Sequence, residues 1–248
     1  MITVKVDVSN AIRSLDLFQR RQVPYAASVA INRTARQVEA KLKQEMMRVF
    51  DRPTPFTLSS IYVIPSTKYN LTAVVGIKDS AAKGTPASKY LITEIEGGIR
   101  RQKRSEKALE FRGLMPAGMY AVPGPGVAFD AYGNISRGTM TAILNALRAN
   151  VLDPTQQAPL GRKTRGRPRL KMAGTLFVAT KTNPKTAHVA PGVWKRTGPK
   201  SMVLLLAFVP APHYAPRFKF ENVGRAEVER TFEENFNAAL RQAMATAR

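Results

Sequence analysis

Two clusters of basic residues have the types and spacing that could do chemistry, and that chemistry is the binding of anions. The first cluster is the run RRQKR, which supplies Arg100, Arg101, Lys103 and Arg104. The second cluster is the segment GRKTRGRPRLK, which supplies Arg162, Lys163, Arg165, Arg167, Arg169 and Lys171. Guanidinium and ammonium groups bind phosphates and carboxylates through charge-assisted hydrogen bonds. We therefore predict that these residues contact nucleic acid or an acidic protein surface.

The second cluster leaves three kinds of partner open. Its tetrapeptide RGRP, Arg165–Pro168, matches the core of an AT-hook, in which Arg-Gly-Arg lies in a narrow A·T-rich minor groove. Sequence-independent contact with phosphates and contact with an acidic protein are the other two interpretations of the same residues. Neither cluster has interleaved aromatic residues, which argues against stacking of single-stranded bases on these loops.

The residue patterns of catalytic and metal sites are incomplete in this chain. His188 and His213 are the two histidines, and neither has a second histidine or paired carboxylates at metal-ligand spacing. Gly198–Ser201 resembles the end of a P-loop, but five residues separate Gly192 from Gly198 where that motif has four. The absence of cysteine excludes thiolate ligands and a thiol nucleophile. We predict a binding protein without catalytic residues, metal or cofactor, and a metal-dependent nuclease is the enzymatic alternative.

The composition agrees with a folded protein that binds anions. The 248 residues include 39 Lys and Arg against 17 Asp and Glu, a formal net charge of +22, and 44% of the residues are hydrophobic. The longest apolar run, Met202–Pro210, has about half of the roughly 20 residues that a membrane-spanning helix needs. The N-terminus lacks the apolar stretch of a signal peptide. We therefore expect no membrane partner.

The elements that must position the basic clusters are long helices and clustered strands. The first helix is predicted from Pro24 to Val49, with an apolar stripe from Ala27 to Val49, and further helices are predicted over 85–97, 105–111 and 136–151. The last helix carries the stripe Val228, Phe232, Phe236, Leu240 and Met244. Strands are predicted at 3–8, 60–65, 71–78, 175–180, 192–196 and 201–209. Because strands cluster along the chain, we predict an α+β fold with antiparallel sheet packed against long amphipathic helices.

We predict that residues 1–248 form a single α+β body with two special regions. Residues 97–138 are a Gly/Pro-rich interaction loop region, and residues 153–173 are a basic mobile loop. A long loop rich in apolar residues either folds over its own domain or meets a partner. We predict a subunit interface formed by its larger apolar side chains: Met115, Met119, Tyr120, Val122, Phe129 and Tyr132.

The stretch VPYAASVAINRTARQV, residues 23–38, resembles the N-terminal signature of the prophage minor tail protein Z family. In that signature a proline leads into a helix of small residues and an Ala-Ile-Asn-Arg segment. The matching positions here are Pro24, Ala26, Ala27, Ala30, Ile31, Asn32 and Arg33. The segment 89–147 resembles tail-completion proteins of phages, and the layout after Gly192 is similar to neck and tail-completion proteins. The insertion over about 97–173 is a departure from shorter family members, which leaves the position in the particle open.

The resemblance implies a non-enzymatic structural protein of a tailed bacteriophage virion. Such a tail-completion, minor tail or neck protein acts at the head-tail connector, near the leading end of the genome, after assembly in the host cytoplasm. Its implied partners are other tail, neck and portal proteins, its own copies in a homo-oligomeric ring, and genome DNA. The alternative is a non-enzymatic DNA-binding accessory protein, for which the RGRP segment is the distinguishing feature.

Overall fold

The computed structural model describes residues 4–7, 19–82, 84–147, 149 and 176–246. The protein is α+β, with helices and antiparallel sheets, as the clustering of strands in the sequence predicts. Instead of the predicted single body, the chain divides into two compact units. We name residues 1–98 with 214–248 the helical unit, for its two long helices. Residues 99–213 are the basic unit, named for its charge.

The helical unit contains four helices and one three-stranded sheet among the described residues. In chain order its elements are β1 (Val4–Asp7), α1 (Gln19–Val49), α2 (Pro55–Leu58), β2 (Ile61–Ile64), β3 (Thr72–Ile77), α3 (Ser88–Glu96) and α6 (Phe220–Thr246). The sheet is antiparallel in the order β1-β3-β2. The short strands β4 (Gly98–Ile99) and β9 (His213–Tyr214) pair with each other.

The basic unit contains a four-stranded antiparallel sheet and two helices among the described residues. In chain order its elements are α4 (Arg104–Phe111), β5 (Tyr120–Pro123), α5 (Arg137–Ala146), β6 (Leu176–Ala179), β7 (Gly192–Arg196) and β8 (Met202–Val209). The strand order is β5-β8-β7-β6. Strand β5 lies in the region that the sequence analysis assigned to irregular structure. Its Pro123 is tolerated because β5 is an edge strand, where a missing N–H breaks no ladder on the outer side.

The second half of α1 packs against the sheet of the helical unit. Val38, Leu42 and Met46 are buried in one core with Ile61 and Val75. The predicted apolar stripe from Ala27 to Val49 is buried as far as Met46, whereas Val49 at the end of the helix is only partly buried. The four-and-three spacing of these residues matches the 3.6-residue helical repeat, so the whole row reaches the same side.

Helices α1 and α6 pack together through small side chains. Ala26 and Ala30 on α1 form a buried cluster with Ala239 and Ala243 on α6. Alanine lets two helix backbones approach closely and loses no side-chain rotamer freedom on burial. The small residues in the first half of α1 therefore have a structural purpose, which is contact with a second helix.

The stripe predicted on α6 is wrong in part. Val228, Phe232, Phe236 and Leu240 are only partly buried, and 67% of Met244 is exposed. The deepest burial on the C-terminal half of this helix belongs to the alanines that face α1. Because the two helices lie so close, larger side chains fit only along the flanks of their contact.

Candidate interaction surface of the basic unit

The excess positive charge is concentrated in the basic unit. Residues 99–213 contain 19 Lys and Arg against 4 Asp and Glu, whereas the rest of the chain contains 20 against 13. The two units therefore differ by about a factor of two in net charge although the basic unit is the shorter. A surface of this kind attracts anionic partners over distances set by the ionic strength.

One of the few carboxylates in the basic unit points inward. Glu106 in the first turn of α4 is 1% exposed and accepts hydrogen bonds from Arg100 Nη1 at 2.9 Å and Nη2 at 2.5 Å. It also accepts from the backbone N–H of Lys103 at 2.5 Å and of Ala121 at 2.9 Å. The carboxylate thus caps the N-terminus of α4 and links this helix to strand β5 through hydrogen bonds.

These contacts set the ionisation of Glu106. Burial by itself raises the pKa of this carboxyl. The hydrogen bond from Arg100 and those from the two backbone N–H groups outweigh burial, so the pKa of Glu106 lies below its ordinary value. The ion pair with Arg100 is therefore present throughout the neutral pH range.

Arg100 is partly buried and ion-paired within the basic unit, which corrects its predicted role as a free contact for phosphate. Its guanidinium pairs with Glu106 and lies 4.6 Å from the centroid of the Tyr120 ring. The Tyr120 hydroxyl donates to the carbonyl oxygen of Arg100 at 2.9 Å. Arg100 is held in this position by tertiary contacts, because α4 supplies the carboxylate and β5 supplies the aromatic ring.

The other three cations of the first cluster remain on the surface. Arg101, Lys103 and Arg104 are exposed, and Arg104 begins α4. Gln102 between them is held inward by donating to Glu110 Oε2 at 2.8 Å and to the Met119 carbonyl at 3.1 Å. The alternation of anchored and exposed residues fixes the three cations on the outside of one short segment. Their contact with an anionic partner remains a prediction.

The second cluster lies outside the described residues. This applies to Arg162, Lys163, Arg165, Arg167, Arg169 and Lys171, and to the whole predicted loop 153–173. The prediction that these residues bind phosphate or an acidic surface therefore stands on the sequence alone.

The predicted subunit interface divides into core and surface residues. Met115 and Tyr120 are buried in the basic unit, so their assignment to a subunit interface is wrong. Met119 packs against the same core, and Val122 on β5 is partly buried. The pairing of β5 with β8 holds this part of region 97–138 against its own unit, which is why Met115 and Tyr120 are core residues.

Phe129 and Tyr132 are the two members of that set that stand on the surface. They are 52% and 41% exposed, respectively. Asp130 Oδ1 accepts from the backbone N–H of Tyr132 and of Asn134, each at 2.9 Å. Gly133 takes the left-handed conformation, with φ of 73°, that completes this turn. The turn thus presents two aromatic rings at a fixed place.

A further surface was missed by the sequence analysis. On the sheet of the basic unit, Phe177 lies opposite Trp194, and Arg196 lies opposite Met202. The three strands were predicted, but their order was not, so the neighbouring rings could not be seen. Alternation of side chains along β7 is the signal that places Trp194 and Arg196 on one face, whereas Phe177 joins them only through the pairing of β6 with β7.

The residues of the family resemblance have structural roles in the helical unit. Asn32 Oδ1 accepts from the Ser66 N–H at 2.7 Å, and Asn32 Nδ2 donates to the Ser66 carbonyl at 3.0 Å. Arg33 Nη2 donates to Gln242 Oε1 on α6 at 3.0 Å. Ala26, Ala27, Ala30 and Ile31 are fully buried. These matching positions therefore fasten α1 within the helical unit.

No family model, curated protein or solved structure matches this chain. Across the residues that the structure describes, no group of three or more His, Asp or Glu side chains is arranged to hold a metal ion. No helix in the same part of the chain has the length and apolar character needed to cross a membrane.

Proposed function

We propose that this chain is a structural virion protein of a tailed bacteriophage, which completes the tail or joins the tail to the head. It acts by binding other virion proteins, and its cations also meet the genome. The observation that carries the proposal is the positive charge of the basic unit, whose residues 99–213 contain 19 Lys and Arg against 4 Asp and Glu, one of which, Glu106, is buried. The resemblance of residues 23–38 to the minor tail protein Z family supports the choice of particle.

The proposed mechanism is binding by the helical unit and the cationic basic unit. Arg101, Lys103 and Arg104 supply exposed charge, and Phe129 and Tyr132 supply the aromatic contacts that are enriched in protein interfaces. Copies of the chain repel each other through their like charge. A ring of copies would therefore form on an acidic neighbour or around DNA and not in isolation.

The direct test is the composition and shape of phage particles. We expect mass spectrometry of purified virions to find the protein in a few to a dozen copies per particle. A phage strain without the protein should accumulate heads and tails that are not joined or not finished, as seen by electron microscopy. Infectious virions with normal tails from that strain would overturn the proposal.

A double substitution is a more specific test than deletion of region 97–138, because the deletion would also remove α4 and β5 from the core of the basic unit. Replacement of Phe129 and Tyr132 by serine should leave the protein folded and lower the yield of joined particles. Tyr69→Ser is the matched control, since Tyr69 is 87% exposed in the helical unit. Equal yields from both variants would remove these rings from the proposed contact surface.

The second candidate is a non-enzymatic DNA-binding accessory protein. The observation that favours it is the same charge, together with the RGRP segment of the sequence. A gel-shift titration with salt separates the two functions, because phosphate contacts weaken linearly in log affinity with log salt. Tight binding of duplex DNA at physiological salt, combined with absence from purified particles, would favour the accessory protein.

A further inference from the structure

The sheet of the basic unit has one face in the core and one face outside it. Val178, Val193 and Leu206 lie on the core face and pack against residues of α4 and α5. Phe177 lies opposite Trp194, and Trp194 lies opposite Leu204, on the other face. Side chains directly opposite each other on antiparallel strands are about 5 Å apart at Cβ. The two aromatic rings are therefore neighbours on the outer face.

The outer face remains accessible within the described part of the basic unit. Phe177, Trp194 and Leu204 each keep partial exposure and belong to none of the hydrophobic clusters of the described residues. The indole N–H of Trp194 donates to the Ala190 carbonyl at 2.9 Å. This bond fixes the edge of the indole and satisfies its polar atom. The ring is held in place before any ligand arrives.

Cations border the two rings. The guanidinium of Arg196 lies 5.7 Å from the centroid of the Phe177 ring, and Arg196 is exposed. Lys200 is exposed in the turn that joins β7 to β8. A planar cation over an aromatic ring forms a cation–π contact and also offers hydrogen-bond donors to phosphate.

The charge of the unit selects the kind of occupant. A second copy of this chain carries the same excess of 19 Lys and Arg over 4 Asp and Glu in its residues 99–213, so like net charge opposes pairing of two copies. An anionic ligand is favoured instead. The adjacent aromatic rings further favour a ligand with flat apolar groups, which a peptide with acidic side chains lacks.

We propose that this face binds single-stranded nucleic acid, with bases stacked on Phe177 and Trp194 and a phosphate held by Arg196. Aromatic platforms combined with cations are the common arrangement for single strands, because every base has a π face. A duplex hides its base faces inside the stack and cannot use the rings in this way. The proposal extends beyond the proposed function and does not depend on it.

The experiment uses the full chain and its own fluorescence. Trp194 is the one tryptophan of the sequence, so tryptophan emission reports on this face alone. We expect oligothymidylate of about 12 nucleotides, within the range that small single-strand modules cover, to quench that emission saturably. Anisotropy of a labelled oligonucleotide should give the same midpoint. Absence of quenching, even at low salt, would overturn the proposal.

Variants separate stacking from general charge. Phe177→Leu keeps an apolar side chain but loses the ring, and should weaken binding of the labelled oligonucleotide by about tenfold or more. Phe111→Leu is the matched control, because Phe111 is 72% exposed on α4 of the same unit and should leave affinity unchanged. Arg196→Gln should likewise weaken binding more than Arg112→Gln, which removes an exposed cation elsewhere. Circular dichroism verifies that each variant is folded.

Three results would contradict the proposal. Equal weakening by Phe177→Leu and Phe111→Leu would show that the ring on the sheet has no special role. Equal affinity and quenching with a duplex of the same length would exclude stacking of single-stranded bases. Tighter binding and equal quenching with polyglutamate would assign the face to an acidic protein. The proposed virion function is tested by particle composition, so its failure is distinguishable from each of these results.

Discussion

The two units of this protein use their acidic residues differently. In the helical unit, Glu39 pairs with Lys43 at 2.6 Å and Glu45 pairs with Arg48 at 2.5 Å, both along the surface of α1. In the basic unit, Glu106 is buried and pairs with Arg100. Glu39 and Glu45 of the helical unit therefore neutralise neighbouring cations on the surface of α1, while Glu106 of the basic unit neutralises a partly buried one. The cationic character of the basic unit comes from its composition, because the buried pair removes one cation and one anion together.

The units also differ in what holds them together. The helical unit rests on a long helix pair and an apolar core that runs from α1 to the sheet. The basic unit joins its first helix to its edge strand through one carboxylate and its donors. The stability that depends on a buried ion pair is lost when either partner is removed, whereas the stability from apolar burial is spread over many residues. The comparison predicts different weak points in each unit.

The largest effect is expected from Glu106→Gln. The amide keeps the size of the side chain but places an NH2 group against N–H donors and leaves Arg100 without its counter-charge. We expect the free energy of unfolding of the basic unit to fall by about 3 kcal/mol. Urea unfolding followed by Trp194 fluorescence measures it. Glu110→Gln, at a partly buried site on the same helix, should cost much less, and equal losses would contradict the role of Glu106.

The same variant tests whether the two units unfold independently of each other. Far-ultraviolet circular dichroism is dominated by α1 and α6, which contain 31 and 27 residues. We expect Glu106→Gln to lower the urea midpoint measured by circular dichroism less than the midpoint measured by Trp194 fluorescence. If both signals shift together, the chain unfolds as one cooperative whole and the units are not separate in stability.

The next effect is expected from Ala239→Leu on α6. A larger side chain does not fit between the closely packed helices, so we expect a loss of about 1–3 kcal/mol. Ala226→Leu is the matched control, because Ala226 is exposed on the same helix. Thermal unfolding followed by circular dichroism should show a lower midpoint for the first variant only. A stable Ala239→Leu variant would mean that the helices have room between them.

Acidification should weaken the basic unit through Glu106. The pKa of Glu106 is lower in the folded protein than in the unfolded chain. The contribution of ionised Glu106 to the free energy of unfolding is therefore complete at pH values above the unfolded-state pKa. That contribution is lost as the pH falls through the lower, folded-state pKa. As the pH is lowered from about 7 to about 3, we expect the urea midpoint of unfolding, followed by Trp194 fluorescence, to decrease. The decrease should be smaller in Glu106→Gln. Equal acid sensitivity of both proteins would contradict this prediction.

The smallest effect is expected from the surface pairs of the helical unit. Lys43→Gln removes an i,i+4 pair with Glu39 whose members are both partly exposed. Water and salt screen such a pair, so we expect a change below about 0.5 kcal/mol in unfolding by urea. A loss as large as that from Glu106→Gln would mean that the two units do not differ in how they use their acids.

Local sequence patterns predicted most elements of the fold. The row from Ala27 to Met46 gave α1, and the β-branched runs gave β2 and β3, because these signals depend on nearby residues. Strand β5 was missed, since its short run YAVP contains a proline and lies among glycines. Its pairing with β8, more than 80 residues later, supplies what the local sequence lacks. The inner face of α6 was misplaced because contact with α1 favours alanine over larger residues.

The candidate site was predicted less completely than the fold. Exposure of Arg101, Lys103 and Arg104 follows from residue type, as charged side chains rarely lie inside. The partly buried, paired state of Arg100 depends on Glu106 and Tyr120, which the sequence places 6 and 20 residues away. No local rule identifies which arginine of a basic run is paired. For the same reason, Met115 and Tyr120 were assigned to an interface although they are core residues.

The sequence by itself determined the charge, the α+β class and the positions of the long helices. These follow from composition and from short-range periodicity, which are complete in the chain before it folds. Only the tertiary structure decided that Arg100 is paired with Glu106, that small residues join α1 to α6, and that Phe177, Trp194 and Arg196 share one sheet face. Each of these depends on strand order or helix contact between distant segments, and such pairings are chosen by the packing of the whole unit.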